Sequence, residues 1–225
     1  MTGSARGYPD AESFVTPGRL RLAAATRALS ETVLMADADD TLLDAAATAT
    51  EQLVASVRGD RAPAPRAVRS IREQRQGDYL PRSPLFGQLN PVAPPFEYEF
   101  RDGRLHAHGM FGAAHEGPPG YVHGGWVALT FDEALGFVNV SSGRPGMTAR
   151  LTVRYRRPTP LHTVLTLEGW STNVDGRRTV TQGRILDGDT VTAEAEGLFV
   201  AIGRERALEY FGDAPETSEP TEPLQ

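Results

Sequence analysis

The chain has 225 residues, 40% of them hydrophobic, enough for one sizeable core with an appendage. Its formal net charge of −6 supplies no global positive field, so neither nucleic acid nor an acidic membrane is an expected partner. Cysteine and lysine are both absent, which excludes disulfides, thiolate metal sites, a cysteine nucleophile, Schiff-base chemistry and a phosphate-loop lysine.

Met1 to Gly18 is polar and contains glycine and proline. It lacks the charged start and apolar core of a signal peptide, and no apolar run approaches bilayer length. Residues 1–17 are expected to be disordered, and a cytoplasmic location follows by elimination. Thr16-Pro17-Gly18 reads as a helix start, a hydroxyl cap followed by proline in the first turn. Leu22, Leu29 and Val33 share one face of the helix that follows, and Asp37 to Asp40 interrupts it. A second stripe of Leu43, Ala46, Ala47, Thr50, Leu53, Val54 and Val57 ends at Gly59. Residues 18–59 therefore read as a helical hairpin, an extension packed on a larger core or on a partner subunit.

Residues 60–89 carry Arg61, Arg66, Arg69, Arg72, Arg75 and Arg82 between prolines. They read as a solvated linker or short surface helix; a phosphate-binding patch is the sharper alternative. Strand composition begins at Phe96. Asp102-Gly103, Asp175-Gly176 and Asp187-Gly188 each divide runs of extended character, a strong hairpin signal. The strands are expected at Phe96–Phe100, Leu105–Phe111, Thr148–Tyr155, Val164–Trp170, Thr179–Ile185 and Thr190–Ile202. Between the second and third lies a helix, Gly124 to Val140, apolar nearly all round and therefore buried. The fold class is α+β: a curved antiparallel sheet of about six strands around one long helix, spanning residues 90–204. The acidic stretch 205–225 reads as a disordered tail.

Two carboxylates, Asp132 and Glu133, interrupt that apolar helix. Asp132 has Ala128, Leu129, Leu135 and Gly136 as helical neighbours; Glu133 has Leu129, Thr130, Gly136 and Phe137. Burying an unpaired carboxylate is costly, so either one implies a buried partner or catalysis, and periodicity does not choose between them. Gly117-Pro118-Pro119-Gly120-Tyr121-Val122-His123-Gly124-Gly125 precedes the helix. The prolines stiffen the approach, and the glycine pair admits a ligand to the unpaired N–H groups and partial positive charge of a helix start. A thioester carbonyl placed there is polarised, and its developing oxyanion is stabilised.

These segments carry a resemblance. Glu116 to Gly125 followed by Phe131-Asp132-Glu133, with Met147-Thr148-Ala149-Arg150-Leu151, Tyr155-Arg156-Arg157-Pro158-Thr159-Pro160-Leu161 and Asn90-Pro91-Val92-Ala93-Pro94-Pro95, resembles the PaaI-like hot-dog thioesterases. The likeness is greatest to their vertebrate mitochondrial branch and its actinobacterial relatives, and it covers Asn90 to Gly203. It implies an acyl-CoA thioesterase that needs no cofactor and no metal. The family's catalytic carboxylate falls on Asp132, its backbone donors on Gly124 and Gly125, its assisting hydroxyl on Thr148, and His123 shapes the loop. It also implies a homodimer, or a dimer of dimers, with each site across a subunit seam.

Arg144, Arg156 and Arg157 are candidates to grip CoA phosphates, since guanidinium suits that geometry. Trp126 either packs in the core or borders an acyl pocket. His106 and His108 share a strand face with His115 nearby, but a metal site needs three or four converging ligands, and solvated histidines are the simpler expectation. His162 is expected to be structural. Ser141 and Ser142 stand in no G-x-S-x-G elbow. Two other functions compete with hydrolysis. A hot-dog enoyl-CoA hydratase carries a histidine shortly after the helix aspartate, which this helix lacks. A non-catalytic acyl-CoA binder is the second.

Overall fold

The computed structural model describes residues 15–58, 80–142 and 146–203. Helix α1 (Pro17–Met35) opens on Thr16, whose hydroxyl accepts from the Arg19 N–H, and α2 (Asp40–Val57) opens on Asp39, which accepts from Leu42. Then come β1 (Glu97–Arg101), β2 (Arg104–Gly109), a 3₁₀ turn (Ala113–His115), α3 (Gly124–Ser141), β3 (Gly146–Tyr155), β4 (Leu165–Asp175), β5 (Arg178–Asp187) and β6 (Thr190–Ala201). The strands form one antiparallel sheet in the order β1-β2-β4-β5-β6-β3. This is the hot-dog architecture the resemblance implied.

The three Asp-Gly pairs stand at the three hairpin turns. At the first, both Asp102 (φ 51°) and Gly103 (φ 73°) are left-handed, the conformation whose twist matches that of the flanking strands. After β2 the chain leaves the sheet, runs through α3 and returns as β3 on the far edge. That crossover lays α3 on the sheet's inner face. Val127, Phe131, Ala134, Leu135 and Val138 pack there on Leu105, Leu165, Leu167, Ile185, Ala193 and Phe199. Close approach needs glycine in the sheet: Gly169 and Gly183 pair across β4 and β5 beneath Leu135, and a Cβ on Gly183 would lie 3.1 Å from the Leu135 side chain.

The N-terminal helices form where expected, but among the described residues they do not pack on each other as a hairpin would. Instead α1 is tied to the body by polar contacts. Arg27 donates to the carbonyls of Ala93 (2.8 Å) and Asn90 (3.1 Å), and Glu31 accepts from the Ala113 N–H (2.9 Å). Partial burial pulls the Arg27 pKa below its ordinary value. Helix α2 buries no residue, and Leu42, Leu53 and Val57 are exposed.

Arg61, Arg66, Arg69, Arg72 and Arg75, Gly59 as a helix stop, and the tail from residue 205 lie outside the described residues. The end of the expected linker is not solvated. Ser83, Leu85 and Phe86 are buried, and the two apolar side chains enter the core. Tight turns turn this segment into the body, where Phe86 meets Tyr98 and Phe137. Among the described residues no helix is long and apolar enough to cross a membrane.

Candidate active site

The glycine-rich approach to α3 is built by short-range bonds. Gly117 N–H donates to Tyr121 O (2.9 Å), Tyr121 N–H to Pro118 O (2.9 Å), and Gly120 N–H to the Glu116 carboxylate (2.7 Å). Gly120 takes a left-handed φ of 81°. His123 is pinned by its own N–H to His115 O (2.9 Å) and becomes the N-cap of α3. Its Nδ1 accepts from the Gly125 N–H at 3.0 Å, which places the proton of the neutral ring on Nε2. Gly124 and Gly125 thus stand at a helix start as expected, with the Gly125 donor held by a side chain of the same loop.

Directly after Gly125, Trp126 is half-buried and lies edge-on against His115, 4.7 Å between ring centroids. His115 is buried, with Nε2 3.0 Å from Val92 O. Trp126 therefore packs as part of the loop's foundation.

Asp132 and Glu133 have opposite surroundings. Asp132 is exposed in the single chain, which corrects the expectation that it is buried: its side of α3 faces edge strand β3, where Met147, Thr148, Ala149 and Arg150 remain open. Thr148 donates its hydroxyl to Asp132 Oδ1 at 2.9 Å. Glu133 is the half-buried carboxylate. It accepts from the Ser83 hydroxyl and from the backbone N–H groups of Leu85 (3.2 Å) and Phe86 (3.3 Å). Burial raises its pKa above the usual carboxylate value; those three donors oppose the rise and the nearby Asp132 adds to it. The Ser83–Phe86 anchor went unread in the sequence, where its signal was a hydroxyl placed just before two apolar residues in a proline-rich turn.

Of the arginine candidates, Arg156 is committed to Glu194 at 2.5 Å, and that bond is the main reason the Glu194 carboxyl titrates below its ordinary value. Arg154 also approaches Glu194, at 3.7 Å. Arg157 is exposed, and Arg144 lies outside the described residues. His106 and His108 are on β2, and His108 faces Glu97 at 3.4 Å. Among the described residues no group of three or more His, Asp or Glu is placed to hold a metal ion. His162 takes a left-handed φ of 53° beside Glu31, 3.7 Å away.

Arranged this way, α3 offers two chemical features: a glycine-lined start with a directed N–H, and an open carboxylate with one positioned hydroxyl. Residues 119–194 match the family model described as the thioesterase superfamily. Acyl-coenzyme A thioesterase THEM4 of Mus musculus is 34% identical over 95 residues, 41% of this chain and 41% of that protein. The Xenopus laevis protein of the same name is 37% identical over 89 residues, 39% and 40% of the two chains. The match thus spans about two-fifths of the length of these curated relatives. A solved structure described as a thioesterase superfamily protein superposes with a TM-score of 0.71 at 34% identity, covering 81% of this chain and 94% of that one. The sequence likeness over almost the whole of that protein, on the same fold, makes this chain a member of the thioesterase superfamily.

Proposed function

We propose that the protein hydrolyses acyl-CoA thioesters to a carboxylic acid and free CoA. The observation that carries this reading is the Thr148 hydroxyl on Asp132, 2.9 Å apart, at a carboxylate open to solvent on a largely apolar helix. Asp132 acts as general base on water or attacks the carbonyl directly, and Thr148 orients the carboxylate or the water. The N–H groups of Gly124 and Gly125 hold the thioester oxygen as charge develops on it. For this, the Gly125 N–H exchanges His123 Nδ1 for the substrate oxygen. The likeness to proteins named acyl-coenzyme A thioesterase supports the substrate class.

Helix geometry argues for a site shared by two copies. Gly125 and Asp132 are seven residues apart on one helix, about 10 Å along its axis. A base and an oxyanion donor must each come within about 3 Å of the same reacting group. That separation supports a site in which the Gly125 of one copy serves with the Asp132 of another. The exposed edge of β3, ten residues long with Met147 and Tyr155 uncovered, supports a homodimer or dimer of dimers through that face. Arg157 and, on release from Glu194, Arg156 are suited to CoA phosphates. The cytoplasm is the proposed location.

The test is CoA release from short, long and aromatic acyl-CoAs by wild type and Asp132→Asn. Turnover by wild type that the variant lacks supports the reaction and the residue, and the profile identifies the acyl class. Release by neither, with a raised melting temperature on adding acyl-CoA, means a binder instead.

A further inference from the structure

We propose that Tyr155 is a positioning residue for the Gly125 N–H, acting through the peptide that joins Gly124 to Gly125; this rests on the reading of that N–H as a donor to the thioester oxygen. Tyr155 ends β3, and its hydroxyl donates to the Gly124 carbonyl at 2.9 Å. The Gly124 carbonyl and the Gly125 N–H belong to one planar trans peptide, in which they point in opposite directions. Holding the oxygen therefore sets the bearing of the hydrogen.

On the opposite side the same peptide is held by His123 Nδ1, 3.0 Å from the Gly125 nitrogen. The two grips are not equivalent. His123 must give up the N–H when a substrate oxygen takes it, whereas Tyr155 holds the other end throughout. A hydrogen bond to the carbonyl also polarises the peptide and makes its N–H a stronger donor. The Tyr155 ring is packed against the glycine: a Cβ on Gly124 would stand 3.6 Å from the ring and from its hydroxyl. Strand β3 thus supports both halves of the chemistry, Thr148 on the carboxylate and Tyr155 on the donor. With sites shared between copies, each β3 would brace the carboxylate of one site and the donor of the other.

The decisive variant is Tyr155→Phe, which keeps the ring and removes only the O–H. CoA release should show kcat lowered about 3- to 10-fold, the worth of one hydrogen bond felt in the transition state. KM and the melting temperature should stay near wild type, and the Gly125 amide signal in a ¹⁵N–¹H spectrum should shift while amides of β4 do not. An unchanged kcat in Tyr155→Phe, alongside an inert Asp132→Asn, overturns the positioning role and leaves the active-site reading intact. A fall in melting temperature with kcat and KM both changed assigns Tyr155 to bracing the fold and equally overturns the proposal. Wild type inert across the acyl-CoA panel overturns the site reading, and the positioning role falls with it.

Discussion

Asp132 and Glu133 are neighbours on α3, identical in charge, yet they face different parts of the molecule. The Asp132 flank meets an edge strand, stays open to solvent and offers the carboxylate one hydroxyl, from Thr148. The Glu133 flank is closed by the Ser83–Phe86 segment, which brings a hydroxyl and two backbone N–H groups to one carboxylate. On the second flank the ion is an anchor: it accepts from the buried Ser83 hydroxyl, shares the Leu85 and Phe86 N–H groups with Ser83 Oγ, and ties the turn ahead of β1 to the central helix. On the first it remains available. An interrupted apolar helix thus carries two kinds of interruption, and the number of donors around each separates them better than the helical neighbours do.

The contrast has a largest test. Asp132→Asn should lower kcat by about 10²- to 10⁴-fold, the usual worth of a positioned acid or base. Its unfolding midpoint should hardly move, because the amide oxygen still accepts from Thr148 and the site is exposed. A marked loss of stability would mean that Asp132 anchors as Glu133 does. Glu133→Ala should do the reverse. It strands the Ser83 hydroxyl and leaves the Leu85 and Phe86 N–H groups with Ser83 Oγ as their acceptor, and the expected loss in urea unfolding is about 1–3 kcal/mol, the cost of one buried unpaired donor. Turnover per folded molecule should stay within a few-fold of wild type. Turnover abolished at unchanged stability would transfer the chemistry to Glu133.

What the sequence made legible follows the range of the interaction. The hairpins were readable because Asp-Gly turns act over two residues, and α3 because its apolar surface is continuous along one segment. The cap Thr16 marks a helix start by a contact three residues long; Asp39, read only as part of an interruption, caps the next helix over the same distance. What α1 rests on was not readable: Arg27 and Glu31 bond backbone atoms 63 to 82 residues away, and no local pattern encodes an unpaired carbonyl so distant. The expected burial of Asp132 failed for a related reason. Helical periodicity describes a residue's ring within its own helix, but exposure is set by which strand lies at the sheet edge. The Ser83 turn, read as part of a solvated arginine-rich stretch, closes the opposite flank for the same non-local reason.

A smaller effect is expected at Thr148. Thr148→Val keeps the β-branched shape favoured in a strand and removes the hydroxyl from Asp132. Steady-state CoA release should show kcat reduced about 3- to 10-fold, the range of a single hydrogen bond, with little change in folding. A silent substitution in both kcat and KM would leave Asp132 without a positioned partner and weaken the contrast between the flanks.

The smallest effect probes whether the two flanks sense each other. Glu133 has a folded pKa above its unfolded value, chiefly through burial, with Asp132 contributing in the same direction. Between those two values the folded chain holds more protons than the unfolded chain, so stability falls as pH rises. The contribution is fully present below the unfolded carboxylate pKa and is lost as pH climbs through the raised folded one. Glu194 acts oppositely, since its lowered pKa gives stability that is lost as pH falls. Only the difference between wild type and Glu133→Gln therefore isolates the Glu133 slope, measured by urea unfolding in steps from below the carboxylate range to neutrality. Asp132→Asn should make that slope shallower by removing the like charge next to Glu133, since a nearby anion raises a carboxyl pKa. An Asp132→Asn slope equal to wild type would mean that solvent on the open flank fully screens one carboxylate from the other, so that the flanks differ in electrostatics as completely as they do in hydrogen bonding.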